Sequence, residues 1–266
     1  MKAGDYMQDD YGNVTLVNVS GIYDEQPLFI DKLKKGGAGV IDAVSMTGTN
    51  GYCDDMAKEN FREMMKEYPT KGIHFIDGGN YHYLTLLWLS LIEEPFDLIV
   101  FDNHSDMQKP AFGDVLSCGG WIRNLVEDSG FKGKVTVVGV DKDNIDKEMK
   151  ELGVKFITKQ TILKKRGQQY GLENELIDKC WTGKRPVYIS VDKDVLDEKE
   201  YKTNWNQGIM SVDELFAIIE DTFEMRKVIG MDICGEMDEA VNSEFGSIYN
   251  EINQAVNMRF LKFRIS

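Results

Sequence analysis

The 266-residue chain is short of positive charge: 31 Lys and Arg stand against 45 Asp and Glu, leaving a net charge of −14. A phosphate backbone needs a basic footprint, so this balance argues against a nucleic-acid partner. Long apolar runs are also missing, and no stretch approaches the roughly 18 residues of a membrane span. The opening "MKAGDYMQDDYG" is acidic and polar, unlike the apolar core of a signal peptide. Cysteine is sparse and scattered (Cys53, Cys118, Cys180, Cys234), with no CxxC pair. Such thiols read as small buried side chains in a reducing compartment. The expectation is a cytoplasmic protein with neither nucleic acid nor membrane as partner. Histidine is scarcest of all, at three residues, so the position of each one matters.

What is present is regular. Hydrophobic residues make up 42% of the chain and the mean hydropathy is −0.35, which suits a globular core. Apolar, β-branched runs predict strands at 14–20, 39–44, 72–76, 97–102, 134–140, 154–158, 186–192 and 227–233. Several are apolar on both faces, as in a parallel sheet covered by helices on either side. Amphipathic stretches between them predict helices at 54–68, 81–94, 120–130, 143–153 and 211–226, with one more from Ser247 to about Phe260. Ser211 with Glu214 has the spacing of a capping box. No linker or repeat interrupts the alternation, so a single domain over residues 1–266 is expected. The pattern fits a doubly wound sheet or a barrel, and either would place function at the C-terminal strand ends.

The strand ends carry unusual residues. "DLIVF" runs directly into Asp102-x-His104-x-Asp106, and "PVYISV" into Asp192-x-Asp194, with Asp197 three residues on. After "GIHFID" the turn "GGNYHYL" brings His82. Strand-terminal aspartates often do no more than cap the next turn. Here, however, three strands would bring four carboxylates and two imidazoles to one edge. Converging carboxylates repel one another unless a cation compensates. Two divalent ions would nearly neutralise four carboxylates, and mixed carboxylate and imidazole ligands suit manganese-type ions. Such a pair, about 3.5–4 Å apart, makes hydroxide available near neutral pH. The third histidine, His74, lies inside a predicted strand and reads as a packed core residue.

These segments resemble the ureohydrolase (arginase, agmatinase and formiminoglutamase) family, which shares the arginase–deacetylase fold. Its GGDHS-type turn, DAHxD strand end and SxDxDxxDP strand end have counterparts in "GGNYHY", "DNHSD" and "SVDKDVLDE", and "GIMSVDEL" resembles the segment before its penultimate helix. The resemblance implies a three-layer α/β/α fold with a mainly parallel sheet of about eight strands. It also implies two divalent ions, Mn²⁺ by family precedent. His82, Asp102, Asp106 and Asp192 would hold one ion; Asp102, His104, Asp192 and Asp194 would hold the other. Asp106 would orient the attacking hydroxide, and Glu236 would pair with the guanidinium of a small cationic guanidino or amidino substrate whose C–N bond is hydrolysed. A homo-oligomer, trimer or hexamer, is the family's common assembly.

The departures are specific. "GGNYHY" holds one residue more before its histidine, and Gly235 puts Glu236 one position late. The loop "LSCGGW" has no histidine where the family usually has one, and Glu198 stands where the family usually has proline. Two further readings therefore stay open. One is a family member that binds metal or ligand without turnover. The other is a deacetylase-like amidohydrolase on the same fold, a group that typically carries an adjacent histidine pair, which this chain does not have.

Overall fold

The computed structural model describes residues 10–110, 113–128, 130–166, 176–237 and 246–265. Eight parallel strands form the central sheet: β1 (Val14–Asn18), β2 (Gly39–Asp42), β4 (Ile73–Phe75), β5 (Asp97–Phe101), β7 (Val135–Val138), β8 (Lys155–Ile157), β9 (Val187–Asp192) and β10 (Val228–Cys234). All eight coincide with the apolar runs. Two further short strands, β3 (Tyr52–Cys53) and β6 (Leu116–Ser117), pair antiparallel outside the sheet. Neither is long enough to leave a periodic signal.

Alternation along each strand separates two cores. Ile99 and Phe101 of β5, with Val187, Ile189 and Val191 of β9, face one core. Leu98 and Val100 of β5, with Tyr188 of β9, face the other. The first core is covered by α1 (Pro27–Lys35), α6 (Lys159–Lys165), α7 (Val212–Met225) and α8 (Gly246–Phe260). The second is covered by α2 (Asp55–Met65), α3 (Leu84–Leu89), α4 (Trp121–Glu127) and α5 (Lys147–Glu151). The result is the expected three-layer α/β/α fold, not a barrel. Helices α1 and α6 carry no signal strong enough to be anticipated. Helix α3 is shorter than its apolar stretch: residues 79–81 take a tight 3₁₀ turn before it, and the helix ends at Leu89.

His74 is a core residue, as its strand position implies. It stacks on Trp88 at 4.0 Å, and its Nδ1 lies 2.8 Å from Asp232 Oδ1. Among the described residues no helix is long and apolar enough to cross a membrane.

The strand order is β2-β1-β4-β10-β9-β5-β7-β8. From β1 the chain steps out to β2, returns to β4, and jumps across a gap to β5. It then proceeds outward through β7 and β8 before β9 and β10 fill that gap. Four strands distant in sequence thus lie side by side in the order β4, β10, β9, β5. Their C-terminal ends open at the reversal of strand order, where α/β sheets bind ligands.

The capping box is present: Ser211 Oγ accepts the Glu214 N–H at 3.1 Å, and Glu214 Oε2 accepts the Ser211 N–H at 2.9 Å. Ser211→Ala should lower unfolding stability by about 1 kcal/mol, seen as a reduced urea midpoint at unchanged slope.

Candidate metal centre

Each of three central strands ends in a turn closed by its own carboxylate. At β5, Asp102 Oδ1 accepts the His104 N–H at 2.6 Å. At β9, Asp192 Oδ1 accepts the Asp194 N–H at 2.9 Å, and Asp194 Oδ1 accepts the Asn103 N–H at 3.0 Å, tying the two turns together. At β4 the turn is made by Asp77, a buried residue in left-handed conformation at φ 72°. Its carboxylate accepts the N–H groups of Val19 (2.7 Å), Ser20 (2.8 Å) and Gly78 (2.7 Å), and the Ser20 hydroxyl at 2.6 Å. Asp77 was not anticipated, although an acid followed by two glycines at a strand end is a signal for such a turn. Asp106 is the other left-handed non-glycine residue among the described residues, at φ 49°, and its Oδ2 accepts the buried Trp121 indole N–H at 2.6 Å.

These turns bring all six expected residues together. His82 Nδ1 lies 3.0 Å from Asp106 Oδ2, 3.3 Å from Asp102 Oδ2 and 3.6 Å from Asp192 Oδ2. His104 Nδ1 lies 2.8 Å from Asp194 Oδ2 and 3.6 Å from Asp102 Oδ1. Ligand atoms of His82, Asp102 and Asp106 all fall within 4.8 Å of one another, as do those of Asp102, His104 and Asp194. Two three-residue groups therefore share Asp102. The 3₁₀ turn at 79–81 takes up the extra residue of "GGNYHY", so His82 still reaches the cluster. Its Nε2 meets Ser190 Oγ at 2.9 Å, which aims Nδ1 at the carboxylates.

The donor set fits divalent cations. His82 Nδ1 and Asp102 Oδ2 are buried and lack hydrogen-bond partners among the described residues, a costly condition that a ligated ion would relieve. Burial, then the neighbouring acids, pushes the carboxyl pKa values of Asp192 and Asp194 upward. Burial opposes charge on His104, but hydrogen bonds to Asp102 and Asp194 outweigh it and raise its pKa to about 11. Carboxylate oxygens and imidazoles together suit manganese-type ions better than thiolate-seeking ones. Cys234, also unanticipated, places Sγ 3.3 Å from Asp192 Oδ2. Burial pushes its thiol pKa well up, which keeps it a protonated donor.

Glu236 corrects the expectation made for it. Its side chain is fully buried and does not line the cavity above the cluster. Lys193, itself buried between the two β9 aspartates, makes an ion pair with Glu236. Asn257 Nδ2 donates to Glu236 Oε1 at 2.7 Å and Gln26 Nε2 to Oε2 at 2.8 Å. The cause is local: Gly235, at φ 87°, turns the chain after β10, and a Cβ there would lie 2.4 Å from Asp192 Oδ1. That turn sends Glu236 inward to Lys193.

The cavity holds about 290 Å³ and opens above His82, His104, Asp106, Asp192 and Asp194. Cys118, from "LSCGGW", stands in its wall, and burial raises its thiol pKa to about 12.

Residues 30–237 match the family model described as the arginase family. An uncharacterized protein of Thermotoga maritima is 30% identical over 227 residues, covering 85% of this chain and 80% of that one. Among solved structures, formimidoylglutamase from Bacillus subtilis superposes with a TM-score of 0.67 at 15% identity, over 99% of this chain and 96% of that one. A formiminoglutamase from Trypanosoma cruzi, crystallised with Mn²⁺, gives 0.66 at 13% identity, over 98% and 97%. At such identities the two structures speak to the fold alone.

Two outcomes follow from the geometry. With its pKa near 11, metal-free His104 carries a proton throughout the neutral range and must lose it to ligate. Apparent Mn²⁺ affinity should therefore rise about tenfold per pH unit for that proton alone, from pH 6 to 8. Calorimetry in buffers of different ionisation enthalpy should show the released proton; a pH-independent affinity would contradict the ligand set. Separately, Lys193→Met strands the Glu236 carboxylate and should cost about 3–5 kcal/mol in urea unfolding, with Lys193→Met/Glu236→Gln recovering part of the loss.

Proposed function

The chain belongs to the arginase family, and from that premise we propose that it hydrolyses a C–N bond of a guanidino or amidino compound at a pair of divalent, manganese-type cations. The observation that carries this reading is the shared Asp102, which joins two three-residue ligand groups into one cluster under an open cavity. One cation would be held by His82, Asp102, Asp106 and Asp192. The other would be held by Asp102, His104, Asp192 and Asp194. When bound, such a pair supplies Lewis acidity and a hydroxide nucleophile near neutral pH.

The chain's own residues do the positioning. Ser190 fixes the His82 ring so that Nδ1 faces the acids, an arrangement that commonly tunes ligating histidines. Trp121 occupies one lone pair of Asp106 Oδ2, leaving Oδ1 to take a proton from the attacking water. Water adds to the amidine carbon, the C–N bond breaks, and the proton ends on the departing nitrogen. Asp102 and Asp194, on either side of His104, fix its ring at the cavity edge.

The weak point is proton delivery. General-acid assistance contributes about 10²–10⁴-fold, and the Cys118 thiol, with a pKa near 12, is a poor shuttle at neutral pH. This favours slow turnover, and it is the specific support for the alternative in which ligand binds without reaction.

Manganese-loaded protein should release urea or ammonia slowly from one or more guanidino or amidino compounds. Cys118→His should raise kcat on the order of ten- to a hundredfold, the lower part of the general-acid range. Ligand binding with no product from either variant would replace the hydrolase reading by the non-catalytic one.

A further inference from the structure

The two halves of the metal centre are not alike, and the difference is a sulfur. Strands β9 and β10 run parallel with Cys234 in register beside Asp192. That pairing carries Cys234 Sγ to 3.3 Å from Asp192 Oδ2, while His82 Nδ1 lies 3.6 Å from the same oxygen. Ligand atoms of His82, Asp192 and Cys234 all fall within 4.8 Å of one another, so they form a third potential metal-binding group. With ordinary bond lengths to zinc, tetrahedral sulfur, nitrogen and oxygen ligands stand about 3.3–3.7 Å apart. Both separations to Asp192 Oδ2 fall in that range.

A buried cysteine usually serves as a small apolar side chain. Cys234 differs through its neighbour: His82 is 1% exposed, and its Nδ1 faces the acids with no hydrogen-bond partner among the described residues. The group formed by Asp102, His104 and Asp194 contains no sulfur. That side lies nearer the cavity mouth, where the His104 ring meets Trp205 at 5.7 Å, and Trp205 Nε1 donates to Asn80 Oδ1 at 3.1 Å. Cys118 stands in the cavity wall and belongs to none of the three groups. The thiol is thus added to the His82 side alone.

Sulfur changes what a position prefers. Carboxylate and imidazole suit manganese-type ions, whereas a thiolate favours zinc over manganese. Protonated in the absence of a cation, a thiol gives its proton to solvent as it coordinates. We propose that Cys234 is a ligand of the cation on the His82 side, and that this position prefers a zinc-type ion while the His104 side keeps a manganese-type one. The proposal rests on the two-cation reading of the site and narrows it, since the two positions become chemically distinct.

The test needs no substrate. The full chain is loaded with Co²⁺, whose thiolate complexes absorb in the near ultraviolet, and in parallel with equal amounts of Mn²⁺ and Zn²⁺. A cobalt–thiolate band should appear, persist in Cys118→Ala and vanish in Cys234→Ser. Mixed loading should leave zinc and manganese bound in equal amounts by elemental analysis. Cys234→Ser should lower Zn²⁺ affinity by at least the about 10–100-fold that loss of a ligand's supporting partner costs, and Mn²⁺ affinity severalfold less. Failure to bind cobalt, no band in the unmutated protein, or a band lost with Cys118 overturns the proposal even if Cys234→Ser does not fold. One metal filling both positions on mixed loading, or equal losses of both metals in Cys234→Ser, overturns it as well. Turnover of a guanidino or amidino compound without the band leaves the hydrolase reading standing alone. The band without turnover of any compound leaves Cys234 as a ligand and removes the hydrolase reading.

Discussion

Acidic charge buried in and around the sheet must be compensated, and the site follows from where compensation is complete and where it is not. Asp97 has Arg226 at 2.9 Å. Asp232 has His74 at 2.8 Å. Asp77 is surrounded by backbone N–H groups and a serine hydroxyl. Glu236 has Lys193. Among the described residues, only at Asp102, Asp106, Asp192 and Asp194 do several carboxylates share two imidazoles and no Lys or Arg. There Asp102 Oδ2 and His82 Nδ1 are left without hydrogen-bond partners. A divalent cation is the remaining compensation that matches the donors.

Topology is what makes that concentration of charge possible. A strand meander would put consecutive strands side by side and keep the pair β4 and β5 apart from the pair β9 and β10. The late return of β9 and β10 into the gap between β4 and β5 places four remote strand ends within one cluster. Helices on both faces then exclude water from everything below those ends, so the aspartates sit where the sheet's own packing has removed their solvent. The two cores contribute to the site indirectly, by holding the strands in register while the turns bend outward.

Lys193 and Glu236 show how a departure in one segment is answered in another. Gly235 turns Glu236 away from the cavity and into the interior, where an unpaired carboxylate would be costly. Lys193, between the two β9 aspartates, supplies its partner, with Asn257 and Gln26 taking up the remaining hydrogen bonds. The cavity therefore has no carboxylate from this position, and its outer wall is left to the aromatic rings and amides.

The six inner strands were legible because each is buried on both faces, which favours apolar residues at most positions and leaves a nearly continuous run; the edge strands β2 and β8 are partly exposed and were legible from short β-branched runs alone. The metal-type residues were legible because ligands on one turn must recur at a spacing of two, as Asp102, His104 and Asp106 do, and as Asp192 and Asp194 do. His82 needed tertiary structure: only the 3₁₀ turn at 79–81 decides whether one extra residue moves the ring out of reach. Cys234, Lys193 and Trp205 were invisible for the same reason, since each matters through neighbours 40 or more residues away. Glu236 marks the limit most clearly. Sequence placed it beside the right strand end, but a side chain's direction after a glycine depends on backbone dihedrals that a spacing rule does not contain.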